Sequence, residues 1–381
     1  MRIAHVGVTG PFTENMSYQD NILSHQNALD GHDVLYIANE YFFKDGDLVK
    51  GGFCDYVLPD GVRLIRLPYV FVGNHFVSDK FRKVKGLYGL LAAFAPDVIL
   101  SHDLCYWSVL DVIRYKKDHP EVKLYADTHT AYENSGTNWL SLHVLHRMFY
   151  RPLIQKVLPY LEKYWYVGVG EKKFSRAVYN VPESLMECYP LGGVLFSPDE
   201  YEEKRARRRV ELGLEPDELL LVHTGKLGPL KRTKELLQAF ADIPELNAKL
   251  IIIGSIPEET KSDILPLVNL DSRVEYLGWK SAADLMEYLC AADLYCQPGS
   301  GSATLQNAIC CGCPVVAFPI DSYVELLDRG QFFWVQTQND MEDVFRNIAK
   351  DSDLLSSKTK GAWSCAREIL DYRKLAARLY Q

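Results

Sequence analysis

The 381-residue chain has no excess of positive charge, no paired cysteine framework and no apolar run long enough to cross a bilayer. Each absence narrows the function. Its 42 Lys and Arg against 50 Asp and Glu give a net charge of −8. General nucleic-acid binding needs a basic surface, so no nucleic-acid partner is expected. Nine cysteines are scattered, and only Cys310, Cys311 and Cys313 fall close together. Zinc takes four ligands and no second Cys/His pair stands nearby, so these three read as small packing residues and no metal is expected. Without a disulfide pattern or a signal peptide, a reducing cytoplasm is the expected compartment. A membrane-spanning helix needs about 20 apolar residues, and none of that length is present. The full glycine fingerprint for a dinucleotide is missing too. Gly7 and Gly10 follow the first strand alone, and Glu40 is the nearest acid after the second, so a nicotinamide cofactor is unsupported.

What is present is a regular alternation of strand and helix. Hydrophobic content of 48% and charged content of 24% are those of a soluble globular protein, and the length suffices for two domains. A strand from Met1 enters a glycine turn at Gly10, a helix covers Ser17 to Leu29, and Asp33 to Ile37 resumes as a strand. That is one βαβ unit. Further strands read at Val62–Leu67, Pro96–Asp103 and Val122–Thr130. His102, Asp103, Asp127 and His129 fall at the carboxyl ends of the last two, where open α/β sheets bind ligands.

The stretch Trp139–Tyr164 reads as a long aromatic helix with Arg147, Arg151, Lys156 and Lys163, divided at Pro152 and Pro159. It either lies on an anionic membrane surface or packs on the sheet with its basic residues in solvent. A strand over Tyr164–Gly170 and a helix over Glu171–Tyr179 follow, and Pro190–Pro198 is the best linker. Beyond it come a charged helix at Glu200–Leu212, strands at Leu219–Thr224, Lys249–Ile253, Val274–Leu277 and Leu294–Cys296, and helices at Thr233–Ile243 and Ala282–Ala291. The expected divisions are 1–190, 191–358 and a terminal helix in 359–381 that can cross back to the first domain.

Two places carry chemistry in the second half. Lys226 and Lys231 straddle a glycine/proline turn between a strand and a helix, which suits the neutralisation of a diphosphate. Cys296–Phe318 reads as a glycine- and hydroxyl-rich turn (Pro298–Ser302), a short helix (Ala303–Cys311) stopped by Gly312, and a buried strand from Pro314. Free N–H groups at such a helix start, with the hydroxyls of Ser300, Ser302 and Thr304, fit a phosphate or a sugar. An ordinary loop with a helix cap is the alternative.

Together these residues resemble the retaining glycosyltransferases of the GT-B fold, in the large family 4, over nearly the whole chain. Gly31-His32-Asp33-Val34 is similar to that family's Gly-His-Glu-Val. Gly225-Lys226-Leu227 with Lys231 resembles its diphosphate site, Gly254 its Ile-Gly-x-Gly turn, and Gly312-Cys313-Pro314-Val315-Val316 its Gly-x-Pro-Val-Val strand. The resemblance implies an α/β protein with two Rossmann-like doubly wound domains facing across a cleft. The first would bind the acceptor and the second the nucleotide sugar, a co-substrate used without a cofactor or metal.

His129 would be the active-site histidine. Lys226 and Lys231 would hold the diphosphate, joined on the donor by Gly10, Gly254, Ser300, Gly301, Ser302, Ala303 and Gln306. Asn15, Tyr18, Asp103 and Asn134 would hold the acceptor. That acceptor is expected to be a glycan or lipid-linked glycan of cell-surface polysaccharide assembly, met in the cytoplasm or at the inner face of the membrane. The family commonly has two glutamates around the focal turn; here Pro298 and Gln306 stand in their places. A nucleotide-sugar epimerase or hydrolase of the same fold, or a silent binding subunit, are the alternatives.

Overall fold

The apolar runs that open each half of the chain become the inner strands of two sheets, buried on both faces as continuous Val/Ile/Leu sequence requires. The computed structural model describes all residues except 15, 17, 45, 46 and 352. It divides into two units, Met1–Pro190 with Tyr372–Gln381, and Leu191–Asp371.

The first unit holds β1 (Arg2–Gly7), β2 (Asp33–Asn39), β3 (Tyr41–Lys44), β4 (Asp47–Lys50), β5 (Cys54–Val57), β6 (Arg63–Leu67), β7 (Val98–His102), β8 (Lys123–Thr128), β9 (Lys163–Tyr166) and β10 (Met186–Cys188). Eight of them form a sheet in the order β10-β9-β8-β7-β1-β2-β6-β5. It is parallel apart from β5, which runs antiparallel to β6, and β3 and β4 form a separate hairpin. The strand order reverses at β1, which pairs with both β2 and β7. Ligands of open sheets bind beyond the carboxyl ends at such a reversal.

The second unit holds β11 (Leu219–Lys226), β12 (Ala248–Ser255), β13 (Val274–Tyr276), β14 (Leu294–Gln297), β15 (Val315–Ala317) and β16 (Phe332–Trp334). Its order is β13-β12-β11-β14-β15-β16, all parallel, and β11 is the point of reversal between β12 and β14. Leu220, Val222, Leu250, Ile251, Leu294 and Val315 are fully buried along it. The helix Pro198–Glu211 starts from a capping box made by Ser197 and Glu200. Its arginines, otherwise a solvated charge run, turn onto the unit: Arg209 meets Asp293 at 2.8 Å and Arg208 meets Glu287 at 2.9 Å. Cys310, Cys311 and Cys313 are buried free thiols in the same core.

The segment from Trp139 is helical and divides at its two prolines, into a π-helical stretch, Leu140–Tyr150, an α-helix, Arg151–Val157, and a single tight turn, Leu158–Tyr160. Pro152 sits in the first turn of the α-helix, where its missing N–H costs nothing. The segment packs on the unit's core through Tyr150, Ile154 and Val157, leaving Trp139, Leu140 and Met148 exposed.

The terminal helix is likewise three pieces, Asp353–Cys365, Ala366–Leu370 and Tyr372–Ala377. Residues up to Asp371 belong to the second unit, so the boundary lies at 371 rather than 358. The last piece buries Leu375, Ala376 and Leu379 with Leu23, Trp165 and Tyr189 of the first unit. Among the described residues no helix is long and apolar enough to cross a membrane.

Candidate functional site

The turn after β11 and the turn after β14 are built as one object. Lys231 is buried, and its ammonium donates to the carbonyls of Ser300 at 2.8 Å and Gly301 at 3.0 Å. Burial alone lowers its pKa. Arg232 adds a bond from Nη1 to the Pro298 carbonyl at 3.4 Å, and the Ser300 N–H donates to the Leu230 carbonyl at 2.8 Å. The fit leaves no room for side chains. A Cβ on Gly299 would stand 2.1 Å from the Leu230 oxygen, and one on Gly301 would stand 2.6 Å from the Tyr323 hydroxyl. Ser302 donates to Gln297 Oε1 at 2.7 Å, and Gln297 donates on to Tyr323 at 3.1 Å.

Lys226 ends β11 exposed, with no ion-pair partner among the described residues. The two lysines therefore differ: one is open to a ligand, and the other holds the turn with two of its three donors.

Three residues expected on the donor have structural duties. Gly254 has a φ of 139°, and a Cβ there would meet the Gly225 oxygen at 1.8 Å, so the close approach of β11 and β12 requires the glycine. Gln306 is buried, and its amide, oriented by its surroundings, donates to the carbonyls of Ser302 at 3.0 Å and Ala303 at 3.1 Å. It fastens the turn from inside, where the family resemblance set it against the donor. Ala303 is the N-cap of the helix Thr304–Cys310 and supplies no side-chain cap. One residue escaped the sequence reading altogether. His223 Nδ1 bonds the Cys296 carbonyl at 2.7 Å and Nε2 bonds Thr233 at 2.9 Å, tying β11, β14 and the next helix together. Burial lowers its pKa to about 4, so it acts as a neutral strut.

In the first unit a cavity of about 270 Å³ is lined by Gly10, Lys80, Arg82, Asp103, His129 and Asn134 among others. The structure thus brings together His129 with two of the acceptor candidates. It also brings Gly10, expected on the donor, to this cavity in the first unit. Tyr18 is half exposed before the helix Gln19–Leu29 and does not line the cavity. Asn15 lies outside the described residues.

His129 presents a buried Nε2 with no hydrogen-bond partner among the described residues. Asn134 fixes the loop that carries it, donating to the His129 carbonyl at 2.6 Å and accepting from the Ala131 N–H at 2.9 Å. Asp103 takes a left-handed φ of 63°. Its carboxylate accepts from the Leu104 N–H at 2.6 Å and from the Thr130 hydroxyl, so its oxygens are committed to the loop. Lys80 and Arg82 were not singled out from the sequence, because a helix-end lysine and arginine carry no local signal.

Beneath the cavity runs a buried polar chain. His5 Nε2 meets Asn27 Oδ1 at 2.9 Å, His5 Nδ1 meets His102 Nε2 at 3.0 Å, and His102 Nδ1 meets Asp127 Oδ2 at 2.8 Å. Asp20 stands 3.4 Å from His102 Nδ1 and accepts from the Tyr36 hydroxyl at 2.9 Å. Burial opposes a charge on His102, but Asp20 and Asp127 overcome it and raise its pKa to about 9. Burial and the neighbouring His102 lower that of His5 to about 3. His102 is thus charged, donating from Nδ1 to Asp127 and from Nε2 to a neutral His5, whose own Nε2 donates to Asn27.

Two doubly wound units of this kind, each with its loops at the carboxyl ends of a parallel sheet, define the GT-B class of fold. Sucrose-phosphate synthase from Thermosynechococcus elongatus has the same fold, with a TM-score of 0.65 at 17% identity, covering 99% of this chain and 96% of that one. Anabaena HepE in complex with UDP gives a TM-score of 0.66 at 15% identity, covering 99% and 98%. In the second unit, residues 204–358 match the family Glycosyl transferases group 1. The chain is also similar to N-acetyl-alpha-D-glucosaminyl L-malate synthase of Bacillus anthracis, 27% identical over 152 residues, which are 38% of this chain and 39% of that protein. The chain thus spans about two fifths of the length of this curated relative.

Proposed function

We propose that the chain transfers a sugar from a nucleoside-diphosphate sugar to an acceptor hydroxyl, with retention of configuration and without a metal. The second unit handles the donor, and the first handles the acceptor and contributes His129. The observation that carries this reading is the pair of lysines in the family-matched stretch. Lys231 is locked onto the turn at Ser300 and Gly301, and Lys226 stands open at the end of the adjoining strand. The HepE structure, of the same fold, holds UDP.

When the bond from the anomeric carbon to the diphosphate breaks, negative charge grows on the departing phosphate. Fixed cations aimed at that point stabilise it without reorganising. Lys226 and the remaining N–H of Lys231 are suited to this. The acceptor oxygen then bonds the anomeric carbon on the face that the diphosphate leaves, and its proton passes to a leaving-group oxygen. The unpartnered Nε2 of His129 supports a hydrogen bond from this residue to the sugar as positive charge develops on the ring.

The acceptor belongs to cell-surface polysaccharide assembly, as a glycan or lipid-linked glycan at the inner face of the membrane. The exposed Trp139, Leu140 and Met148 beside Arg147 and Arg151 support that location. With Pro298 unable to hydrogen-bond through a side chain and Gln306 turned inward, the donor's sugar and ribose are read chiefly by the backbone of the 298–303 turn.

The test is acceptor-dependent release of nucleoside diphosphate from a panel of nucleotide sugars. His129→Ala should lower kcat by about 10²–10³, the range typical of losing one polar contact made in the transition state, with nucleotide affinity kept. Unchanged turnover would remove His129 from the mechanism. Equal release without any acceptor would show a hydrolase or epimerase instead.

A further inference from the structure

The cavity around His129 holds more positive charge than its own carboxylate balances. Lys80 and Arg82 both line it, and neither forms an ion pair among the described residues. Asp103, the acid facing them, accepts from Leu104, Cys105 and Thr130. Arg82 uses Nη1 on the Cys105 carbonyl at 3.0 Å. A guanidinium carries five N–H donors in a planar fork that matches a carboxylate or phosphate edge.

The backbone is arranged around this arginine at a cost. Arg82 follows the helix His75–Phe81 with φ 48° and ψ 47°, a left-handed C-cap where glycine or asparagine is the cheap choice. Tyr150 braces the pair: its ring lies 6.0 Å from the guanidinium, and its hydroxyl donates to the Lys80 carbonyl. Both cations are half-buried, and the Lys80 ammonium also lies 5.6 Å from the Phe76 ring, so a ligand's counter-charge would be felt at reduced screening there.

We infer that the acceptor carries an anionic group, phosphate or carboxylate, which Lys80 and Arg82 receive beside His129. The inference rests on the glycosyltransferase reading above and names the acceptor's chemistry. A neutral glycan end would leave the two cations facing the single carboxylate of Asp103. A cavity of about 270 Å³ suits a single phosphorylated or acidic sugar or polyol unit, either free or as the phosphate-bearing end of a lipid carrier. The hydroxyls of Ser135 and Ser141 on its wall add acceptors for that unit's own hydroxyls.

The test is a titration of the intact chain with inorganic phosphate, glucose 6-phosphate, glucuronate and glucose, and with polyprenyl phosphate in phosphatidylcholine vesicles, with UDP as a separate probe. At least one anionic probe should bind tenfold or more tighter than glucose. Lys80→Met should abolish that preference while UDP affinity changes less than twofold. Arg82→Lys, which keeps the charge but not the fork, should retain part of it. Preference for glucose 6-phosphate marks a soluble acceptor; preference for the vesicle probe marks a lipid-linked one. Equal binding of all probes, or a preference that survives Lys80→Met, overturns the inference. Absence of binding by UDP, GDP and ADP alike in the unaltered chain overturns the donor reading instead, so the two failures are told apart.

Discussion

His102 lies between Asp20 and Asp127 and against His5, and this local arrangement has a consequence for the whole unit's stability. A histidine whose folded pKa is raised to about 9 from an ordinary value near 6.5 binds a proton more tightly in the fold. That stabilisation is complete below about pH 6.5 and is lost as pH rises through 9. His5, lowered to about 3, works in the opposite direction, because the unfolded chain takes up a proton below 6.5 that the folded chain refuses. The pair therefore puts a stability maximum near pH 6.5. Urea unfolding of the intact protein at pH 5, 6.5 and 9 should show it, and His102→Gln should flatten the alkaline limb. An alkaline limb equally steep in the variant would contradict the assignment.

At this scale the sequence is informative about type and poor about contact. His102, Asp103, Asp127 and His129 are legible from their place after apolar runs. That Asp103 and Asn134 hold loops, and that Gln306 faces its own helix start, depends on side-chain partners that no spacing encodes. Lys80 and Arg82 reach the cavity only through a left-handed residue that is neither glycine nor asparagine, so no turn signal marks them.

Among elements, the turns after β11 and β14 matter most, because one rigid body presents both lysines' surroundings. Gly254 of β12 makes the closest approach to the end of β11, at Gly225. Gly254→Ala would push a Cβ into the Gly225 carbonyl at a φ that alanine avoids, and should cost about 3 kcal/mol or more, measured by denaturant unfolding. A loss below about 1 kcal/mol would show that β11 and β12 can part without harm. The buried parallel strands were legible because each is a short Val/Ile/Leu run between turn residues. The hairpin β3–β4 and the edge strand β5 were not, since Tyr41–Lys44, Asp47–Lys50 and Cys54–Val57 are largely surface strands with no buried face to impose a period. The π-helical Leu140–Tyr150 escaped because its pattern differs from an α-helix by one residue per turn only.

For the molecule as a whole, two parallel sheets reversing at β1 and β11 place each set of candidate residues at carboxyl ends, the arrangement that makes such sheets carriers of function. The return of Tyr372–Ala377 to the first unit was foreseeable as a terminal helix but not its start, because the chain stays helical across Cys365–Leu370 with no glycine or proline to mark a break. The central claim is that the second unit binds a nucleoside diphosphate through Lys226 and Lys231. Calorimetric titration of UDP, GDP and ADP into the intact protein and into a Lys226→Ala/Lys231→Ala variant tests it most directly. The account predicts measurable binding of at least one diphosphate and at least a tenfold loss in a variant that remains folded. Equal affinity in the two proteins, or no binding of any of the three, would contradict it.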